Sequence, residues 1–237
     1  YVLHGDGDIQ EPVAQGSIAL AGHWGLGKLI GYYDSNNAQI SGKVSRSDST
    51  NYSEFYKSNG WHVIEVDGHD RSAIRDAIRQ AQMEVEKPSI IIGHTIMAQG
   101  CANVEGDHNT HGAPLSPEEI YQTKEKMGLN PEAYFDLPSE ILDEFQSSYS
   151  YARDEVSSWT NRIEKLSADS SFKNRWEMML SGKLPDMAWP TFNYGEKIAT
   201  RKVWGAVIEP LCENMNNLVG GSADLEPSNV TSGFAKI

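Results

Sequence analysis

Apolar residues in the first part of the chain fall into short continuous runs separated by segments with helical spacing. The runs predict four strands, at 1–3, 29–33, 61–66 and 89–93. The segments between them predict three helices, at 11–22, 52–59 and 71–86. Asp70 stands where a helix N-cap is preferred, and the polar stretch 41–53 predicts a surface loop or short helical turn. Strands that alternate with helices predict an α/β fold with a doubly wound parallel sheet.

The chain after residue 116 is densely charged, and its apolar residues recur at helical spacing. This pattern predicts helices at 117–127, 139–166 and 170–181. Pro185 and Pro190 mark a boundary in the stretch that follows. Beyond it we expect a helix over 199–213 and a short strand over 218–221, which together would start a second α/β domain.

Composition limits the possible functions. The chain has 237 residues, 39% of them apolar and 22% charged, and no apolar run long enough to span a membrane. Its net charge of −13 argues against nucleic-acid binding, which requires a basic surface. Two cysteines do not make a disulfide framework, and we expect buried, inert thiols in a reducing compartment. The expected localisation is cytoplasmic, although a targeting segment upstream of residue 1 is compatible with the sequence.

Gly5, Asp6 and Gly7 directly follow the first predicted strand, and Asn36 follows the second. Strand, helix and strand within about 30 residues is the size of a βαβ unit, whose parallel strands end at the same edge of the sheet. Asp6, Asn36 and the backbone carbonyl of Ala38 are hard oxygen donors of the kind that Mg²⁺ and Ca²⁺ prefer. The glycines would let a phosphate approach the backbone. The pattern predicts a site for Mg²⁺ and a diphosphate ester, and the alternative is a simple helix turn capped by Asp6.

Three separated motifs resemble those of the transketolases, a family of thiamin-diphosphate enzymes. The first is GDG followed by NN, within the longer stretches GDGDIQE and LAGHWGLGKLIGYYDSNNAQISG. The second is HGAPL, which begins at His111. The third is ATRK, followed by GGSADL and by SN-x-T. The motifs occur in the family's order, and the resemblance covers essentially the whole chain.

The resemblance implies thiamin diphosphate as the cofactor, with Mg²⁺, or Ca²⁺ in its place, as the metal. The implied metal ligands are Asp6, Asn36 and the carbonyl of Ala38. The implied cofactor-binding residues are Gly5, Gly7, Glu11, Asn36, Ile40, His111 and Asp224. His111 is also the implied catalytic residue, and it joins Arg201 and Ser228 in binding the sugar phosphate. Ala38 departs from the family pattern, in which a bulkier apolar residue supplies this carbonyl.

Two of these residues have plain alternatives when the residues are considered without the resemblance. His111 lies in a predicted loop with several glycines, and a loop histidine usually faces solvent. The Gly-Gly-Ser-x-Asp stretch that contains Asp224 is also typical of an ordinary turn with polar caps.

Transketolases reversibly transfer a two-carbon ketol unit from a ketose phosphate, such as xylulose 5-phosphate, to an aldose phosphate, such as ribose 5-phosphate, through a carbanion on the cofactor. The resemblance implies that residues 1–125 are the C-terminal part of a diphosphate-binding domain, 126–190 a helical linker and 191–237 the start of a pyrimidine-binding domain. It also implies a homodimer for the full-length protein. The family's catalytic glutamate would lie beyond residue 237, so we expect the chain alone to be inactive. The alternatives are a related enzyme such as dihydroxyacetone synthase, and a non-catalytic fragment or binding module with half a cofactor site.

Overall fold

The chain divides into two compact units. The computed structural model describes residues 1–215 and 217–236. Unit 1 comprises residues 1–136, and unit 2 begins at Leu137. This division falls inside the predicted linker, and the predicted domain identities stay predictions. Across the part of the chain that the structure describes, no helix is both long enough and apolar enough to cross a membrane.

Unit 1 is built on a four-stranded parallel sheet. The strands are β1 (Val2–Gly5), β2 (Ile30–Ser35), β3 (Ala38–Gln39), β4 (Gly42–Lys43), β5 (His62–Asp67) and β6 (Ser89–His94). The order across the sheet is β1-β2-β6-β5, and every pairing in it is parallel. Strands β3 and β4 form a separate antiparallel hairpin. Since β1 and β2 are neighbours, the residues that follow them meet at one edge of the sheet.

The helices of unit 1 alternate with its strands, and some of them begin at a side-chain cap. They are α1 (Asp6–Ile9), α2 (Pro12–His23), α3 (Tyr52–Ser58), α4 (Arg71–Met83) and α5 (Pro117–Lys126). Side chains cap three of them, those of Asn51, Asp70 and Ser116. Helix α4 ends at Met83 rather than at residue 86, because the Glu84 side chain accepts the backbone N–H groups of Glu86 and Lys87 in a turn.

Helices cover both faces of the sheet. One face packs against α2 and α3 in a cluster of Ile9, Ile18, Ala21, Tyr33, Tyr52, Tyr56, Trp61, Ile90 and Ile92. The other face packs against α4 through Ile30, Ala77, Ala81 and Ile91. Strand β6 contributes to both clusters, which explains its continuous apolar run. The predicted fold class, α/β with a doubly wound parallel sheet, is confirmed.

Unit 2 is helical in the residues that are described. Its helices are α6 (Ser139–Leu166), α7 (Ser170–Leu180), α8 (Thr200–Asn214) and α9 (Glu226–Asn229), followed by a 3₁₀ turn at Ser232–Lys236. Helix α8 continues through Pro210 and packs closely against the segment that follows α9. At Gly205, an added Cβ would lie 2.3 Å from the Cγ1 atom of Val230. Both cysteines, Cys101 in unit 1 and Cys212 in α8, are buried as predicted.

Two local predictions need correction. The predicted strand at 218–221 is irregular, because a strand requires a partner strand and the described residues of unit 2 contain none. The stretch 41–53 includes the predicted helical turn, at Val44–Arg46, but its first residues belong to the β3–β4 hairpin, which was not predicted. Two-residue hairpin strands are too short to show an alternating pattern.

Candidate functional site

The largest cleft described in unit 1, of about 950 Å³, opens at the carboxyl ends of β1 and β2. Its lining includes eight residues that the sequence predicted for the site: Gly5, Asp6, Gly7, Glu11, Asn36, Ala38, Ile40 and His111. The parallel pairing of β1 with β2 aligns Gly5 with Asp34, so the residues that follow the two strands share one edge. This is the edge at which open α/β sheets bind ligands.

Asp6 is the buried carboxylate at the base of this cleft. It is the first residue of α1, and only 4% of its surface is exposed. The Tyr33 hydroxyl donates a hydrogen bond to Oδ1 at 2.5 Å, and the backbone N–H of Asn36 donates to Oδ2 at 3.1 Å. A buried carboxylate requires such partners because removing its charge from water is costly. The two bonds hold the carboxylate in one orientation.

Tyr33 is a neutral donor in this arrangement. Burial, reinforced by the hydrogen bond to Asp6, raises the pKa of its hydroxyl far above the ordinary value of 10.0. Its ring stacks on the His4 ring with centroids 5.0 Å apart. Burial also lowers the pKa of His4, whose Nε2 lies 3.0 Å from the Tyr56 hydroxyl. Tyr33 therefore keeps its proton, and with it the bond to Asp6, across the physiological pH range.

The side chain of Asn36 is fixed by bonds on both of its polar atoms. Its Oδ1 accepts the backbone N–H of Ala38 at 2.9 Å, and its Nδ2 donates to Oδ2 of Asp34 at 2.9 Å. The Thr95 hydroxyl donates to the other oxygen of Asp34. The partners settle which amide atom is oxygen, since a carboxylate only accepts and a backbone N–H only donates. The Oδ1 atom retains a second lone pair for a ligand.

The β3–β4 hairpin leaves the carbonyl of Ala38 outside its ladder. In an antiparallel pair, hydrogen-bonded and non-hydrogen-bonded residue pairs alternate. The backbone N–H of Val44 donates to the carbonyl of Asn37 at 3.4 Å, so the neighbouring pair of Ala38 with Lys43 is the non-hydrogen-bonded one. The Ala38 carbonyl is therefore available to a ligand. Asn37 adopts φ +57°, a left-handed conformation that asparagine tolerates and that turns the chain into the hairpin.

A ring of three polar side chains attaches the hairpin to the end of α1. Gln10 donates to Gln39 at 2.9 Å, Gln39 donates to Ser47 at 3.0 Å, and Ser47 donates back to Gln10 at 3.2 Å. Gln10 also donates to the backbone carbonyl of Asp6 at 3.0 Å. These bonds fix the distance between the two halves of the site, one on α1 and one on the hairpin.

The oxygens at the base of the cleft fit a hard divalent cation. The available donors are the Asp6 carboxylate, Oδ1 of Asn36 and the carbonyl of Ala38, all of them oxygen. Across residues 1–215 and 217–236 no group of three or more His, Cys, Asp or Glu side chains could hold a metal. Softer metals prefer histidine nitrogen and cysteine sulfur, whereas Mg²⁺ combines few protein oxygens with water and phosphate oxygens.

Gly5 and Gly7 leave space for a ligand where β1 passes into α1. A Cβ added to Gly7 would meet nothing within 4 Å, so the backbone is open to a ligand there. The backbone N–H of Gly5 is already paired, since it donates to the Asp8 carboxylate at 2.8 Å. Asp8 also lines the cleft and was not predicted as a site residue. Asp8 could not be recognised from the sequence because it resembles any acidic residue in a first helical turn.

His111 reaches the cleft from the long loop that precedes α5. It follows a 3₁₀ turn at His108–Thr110, which is capped by the Asp107 side chain. Two other histidines have acidic neighbours instead: His108 lies 3.6 Å from Asp107, and His94 lies 3.2 Å from Glu65. Neither lines the cleft.

The three predicted residues of unit 2 are exposed. Arg201 lies in the first turn of α8, Asp224 lies in the turn before α9, and Ser228 lies in α9. The neighbouring segment is held by Ser222, which accepts hydrogen bonds from Asn229 at 3.0 Å and Thr231 at 2.9 Å. Because these residues belong to the other compact unit, their roles stay predictions.

A smaller cavity, of about 230 Å³, lies beside β1 and α2 in unit 1. Its walls are mainly apolar and include Ile18, Leu29, Trp61 and Ile90. It lacks the converging polar groups that orient a ligand, and the cleft with Asp6 has them.

Comparison with known proteins gives a consistent result. Residues 1–185 match the family model described as "Transketolase, thiamine diphosphate binding domain". The chain is 35% identical to transketolase 1 of Saccharomyces cerevisiae over an alignment of 239 positions, which covers 98% of this chain and 35% of that protein. It is also 35% identical to transketolase 2 of Escherichia coli over an alignment of 241 positions, covering 98% of this chain and 36% of that protein. The chain thus spans about a third of the length of these relatives.

Solved structures agree with this comparison. Transketolase from Campylobacter jejuni matches with a TM-score of 0.84 and 36% identity, over 97% of this chain and 35% of that one. Transketolase from Leishmania mexicana matches with a TM-score of 0.88 and 34% identity, over 98% of this chain and 35% of that one.

Proposed function

Because this chain belongs to the transketolase family, we propose that unit 1 forms the metal- and diphosphate-binding half of a thiamin-diphosphate site. The family resemblance predicted from the three motifs is confirmed, and the matched region is a thiamin-diphosphate-binding domain. The observation that carries the proposal is the convergence of Asp6, Asn36 and Ala38 at the base of one cleft. The oxygens of Asp6 and Asn36 are fixed by hydrogen bonds and retain capacity for a ligand, and the Ala38 carbonyl lies outside the hairpin ladder.

Some residues of the cleft would bind the metal, and others would bind the cofactor. The Asp6 carboxylate, Oδ1 of Asn36 and the Ala38 carbonyl would hold Mg²⁺, and Ca²⁺ is compatible with the same oxygens. Gly5 and Gly7 would bring the backbone close to the diphosphate. The other predicted cofactor residues of the cleft are Glu11, which would lie beside the metal ligands, Ile40, whose side chain is exposed, and His111.

The proposed chemistry follows from these positions. When bound, thiamin diphosphate would provide the nucleophilic carbon and the electron sink that transfer of a two-carbon unit requires. His111 would hold or move a proton at a substrate oxygen. Arg201 and Ser228 would bind the sugar phosphate, for which the planar guanidinium is well suited, and Asp224 would lie beside the cofactor.

The complete reaction is proposed for a longer protein that includes this chain. There the two-carbon ketol unit would pass from a ketose phosphate, such as xylulose 5-phosphate, to an aldose phosphate, such as ribose 5-phosphate, in a cytoplasmic homodimer. The chain spans about a third of its relatives, and we expect it to show no ketol transfer by itself. A related activity such as that of dihydroxyacetone synthase, or a non-catalytic module with half a cofactor site, is the alternative.

Calorimetric titration of thiamin diphosphate with MgCl₂ into the purified chain tests the proposal. We expect micromolar binding that requires Mg²⁺ and is abolished by Asp6→Asn. The matched control is Asp8→Asn, which changes another acid of the same cleft while keeping an acceptor for the Gly5 N–H. Binding that survives Asp6→Asn would overturn the metal site. Absence of binding to the folded wild-type chain would overturn the idea that unit 1 forms this half-site on its own.

A further inference from the structure

Each oxygen of the Asp6 carboxylate has its own donor, and the two donors differ in kind. Asn36 donates from the backbone, which is part of the turn between β2 and β3, to Oδ2. Tyr33 donates from a side chain of β2 to Oδ1, at 2.5 Å. The bond from Tyr33 joins residues 27 positions apart in the sequence, so it depends on the pairing of β1 with β2. Tyr33 does not line the large cleft with Asn36, Ala38 and His111; it lines a smaller cavity, of about 260 Å³, to which Asp6 also contributes.

The ring of Tyr33 is held in place on both sides. It is only 3% exposed. His4 stacks on it with an interplanar angle of 15°, and Tyr52 meets it edge-on with centroids 5.8 Å apart. A donor held this firmly restricts the carboxylate to which it is bonded. Any rotation that moved Oδ1 away from the Tyr33 hydroxyl would leave a buried charge without its partner.

We propose that Tyr33 is a positioning residue for the metal. It would orient the Asp6 carboxylate so that its free lone pairs bind the same cation as the oxygens of Asn36 and Ala38. The inference rests on the proposed function, since it requires Asp6 to be a metal ligand. Ligating carboxylates are commonly held by outer hydrogen bonds, whose loss weakens metal binding. Tyr33 would act through Asp6 without touching the metal, cofactor or substrate.

Binding of Mn²⁺ in the presence of thiamin diphosphate, followed by electron paramagnetic resonance, tests the role of Tyr33. The variant is Tyr33→Phe, which keeps the buried ring and removes the hydroxyl. We expect the dissociation constant for Mn²⁺ to rise about 10- to 100-fold. The matched control is Tyr52→Phe, because Tyr52 lies in the same aromatic cluster but donates its hydroxyl to Asp48. We expect its Mn²⁺ affinity to stay within about twofold of the wild type, since Asp48 does not line the cleft.

The spectrum of bound Mn²⁺ separates positioning from a general loss of structure. At saturating Mn²⁺, we expect the line shape to change in Tyr33→Phe, because the ligand field depends on carboxylate orientation, and to stay unchanged in Tyr52→Phe. Thermal melts of both variants confirm that each is folded at the temperature of the titration.

The outcomes distinguish this inference from the proposed function. Wild-type affinity in Tyr33→Phe, together with a loss in Asp6→Asn, would overturn the role of Tyr33 and leave the metal site standing. Weaker binding in Tyr33→Phe with an unchanged bound spectrum would also overturn positioning. Wild-type affinity in Asp6→Asn would overturn the metal site itself.

Discussion

Glu119 of α5 and Asn103 of the preceding loop are joined by two hydrogen bonds. The backbone N–H of Asn103 donates to Oε1 of Glu119 at 2.9 Å, and its side-chain amide donates to Oε2 at 2.9 Å. Glu119 is only 7% exposed. A second link joins the same elements, since Lys126 donates to the carbonyl of Cys101 at 2.6 Å. The first half of the long loop that carries His111 is thus bonded to helix α5.

We expect Glu119→Gln to loosen this loop, because Asn103 donates to both carboxylate oxygens and the NH₂ group that replaces one of them cannot accept. Hydrogen exchange should show faster exchange of the Asn103 amide in the variant. The matched control is Glu118→Gln, the exposed neighbour in the same helical turn, which should leave that amide unchanged. Equal protection of Asn103 in the wild type and in Glu119→Gln would contradict the role of this bond.

The same pair predicts a dependence on pH. The hydrogen bonds from the backbone and side chain of Asn103 lower the pKa of Glu119 from its ordinary value of 4.5. A lowered pKa in the folded state means that the stabilisation is complete above pH 4.5 and is lost as the pH falls through the folded-state pKa. In melts at decreasing pH, we therefore expect the advantage of the wild type over Glu119→Gln to shrink below pH 4.5. An advantage that grows at acid pH would contradict the assignment.

Substitution by alanine should have opposite effects on stability at two glycines of α2. A Cβ on Gly16 would meet nothing within 4 Å, whereas a Cβ on Gly22 would lie 1.7 Å from the backbone carbonyl oxygen of Asn59. We expect Gly16→Ala to stabilise unit 1 by about 0.5–1 kcal/mol, since alanine favours a helix. Gly22→Ala should destabilise it by about 1–3 kcal/mol, because the backbone near Asn59 must move. Urea unfolding of the two variants measures both values, and a loss in Gly16→Ala would contradict the expectation.

Substitution of two isoleucines should affect different properties, protein stability for Ile91 and cofactor binding for Ile40. Ile91 is 1% exposed at the centre of the sheet, and Ile40 is 81% exposed in the hairpin loop. We expect Ile91→Ala to lower the free energy of unfolding by about 2–5 kcal/mol, because it leaves a cavity. Ile40→Ala should change it by less than about 0.5 kcal/mol. Titration with thiamin diphosphate should nevertheless show weaker binding in Ile40→Ala, and unchanged affinity would remove Ile40 from the proposed site.

Asp70 provides a test of the capping that positions α4. Its side chain accepts the backbone N–H groups of Ser72 at 2.8 Å and Ala73 at 3.1 Å. We expect Asp70→Ala to cost about 0.5–2 kcal/mol in urea unfolding. The control is Asp76→Ala on the same helix, where an exposed pair with Arg79 should contribute no more than about 0.5 kcal/mol. A loss of unfolding free energy in Asp70→Ala no larger than that in Asp76→Ala would contradict a stabilising role for the cap.

Much of the fold could be predicted from the sequence because its signals are local. The apolar run at 89–93 and the helical spacing after Asp70 each show how one segment buries its own side chains, and both elements formed, the helix ending three residues earlier than predicted. The predicted strand at 218–221 failed for the opposite reason. Its existence depends on a partner strand, which no local pattern reports.

The candidate site divides in the same way. Asp6, Asn36 and His111 were found from motifs, since each lies in a stretch with a distinctive order of residues, and the structure brings them to one cleft. Tyr33 and Gln10 were not found, because their importance lies in partners distant in the sequence. A tyrosine in a buried strand looks like any other apolar residue until its partner is known.

The sequence by itself determined the strands of the parallel sheet, the longer helices, the family to which the chain belongs and the oxygens that are candidates for a metal. Only the tertiary structure decided the strand order β1-β2-β6-β5, the bond from Tyr33 to Asp6 and the anchoring of the His111 loop by Glu119. The physical reason is that hydrophobic periodicity and capping act within a few residues along the chain, whereas strand pairing and buried hydrogen bonds join residues that only folding brings together.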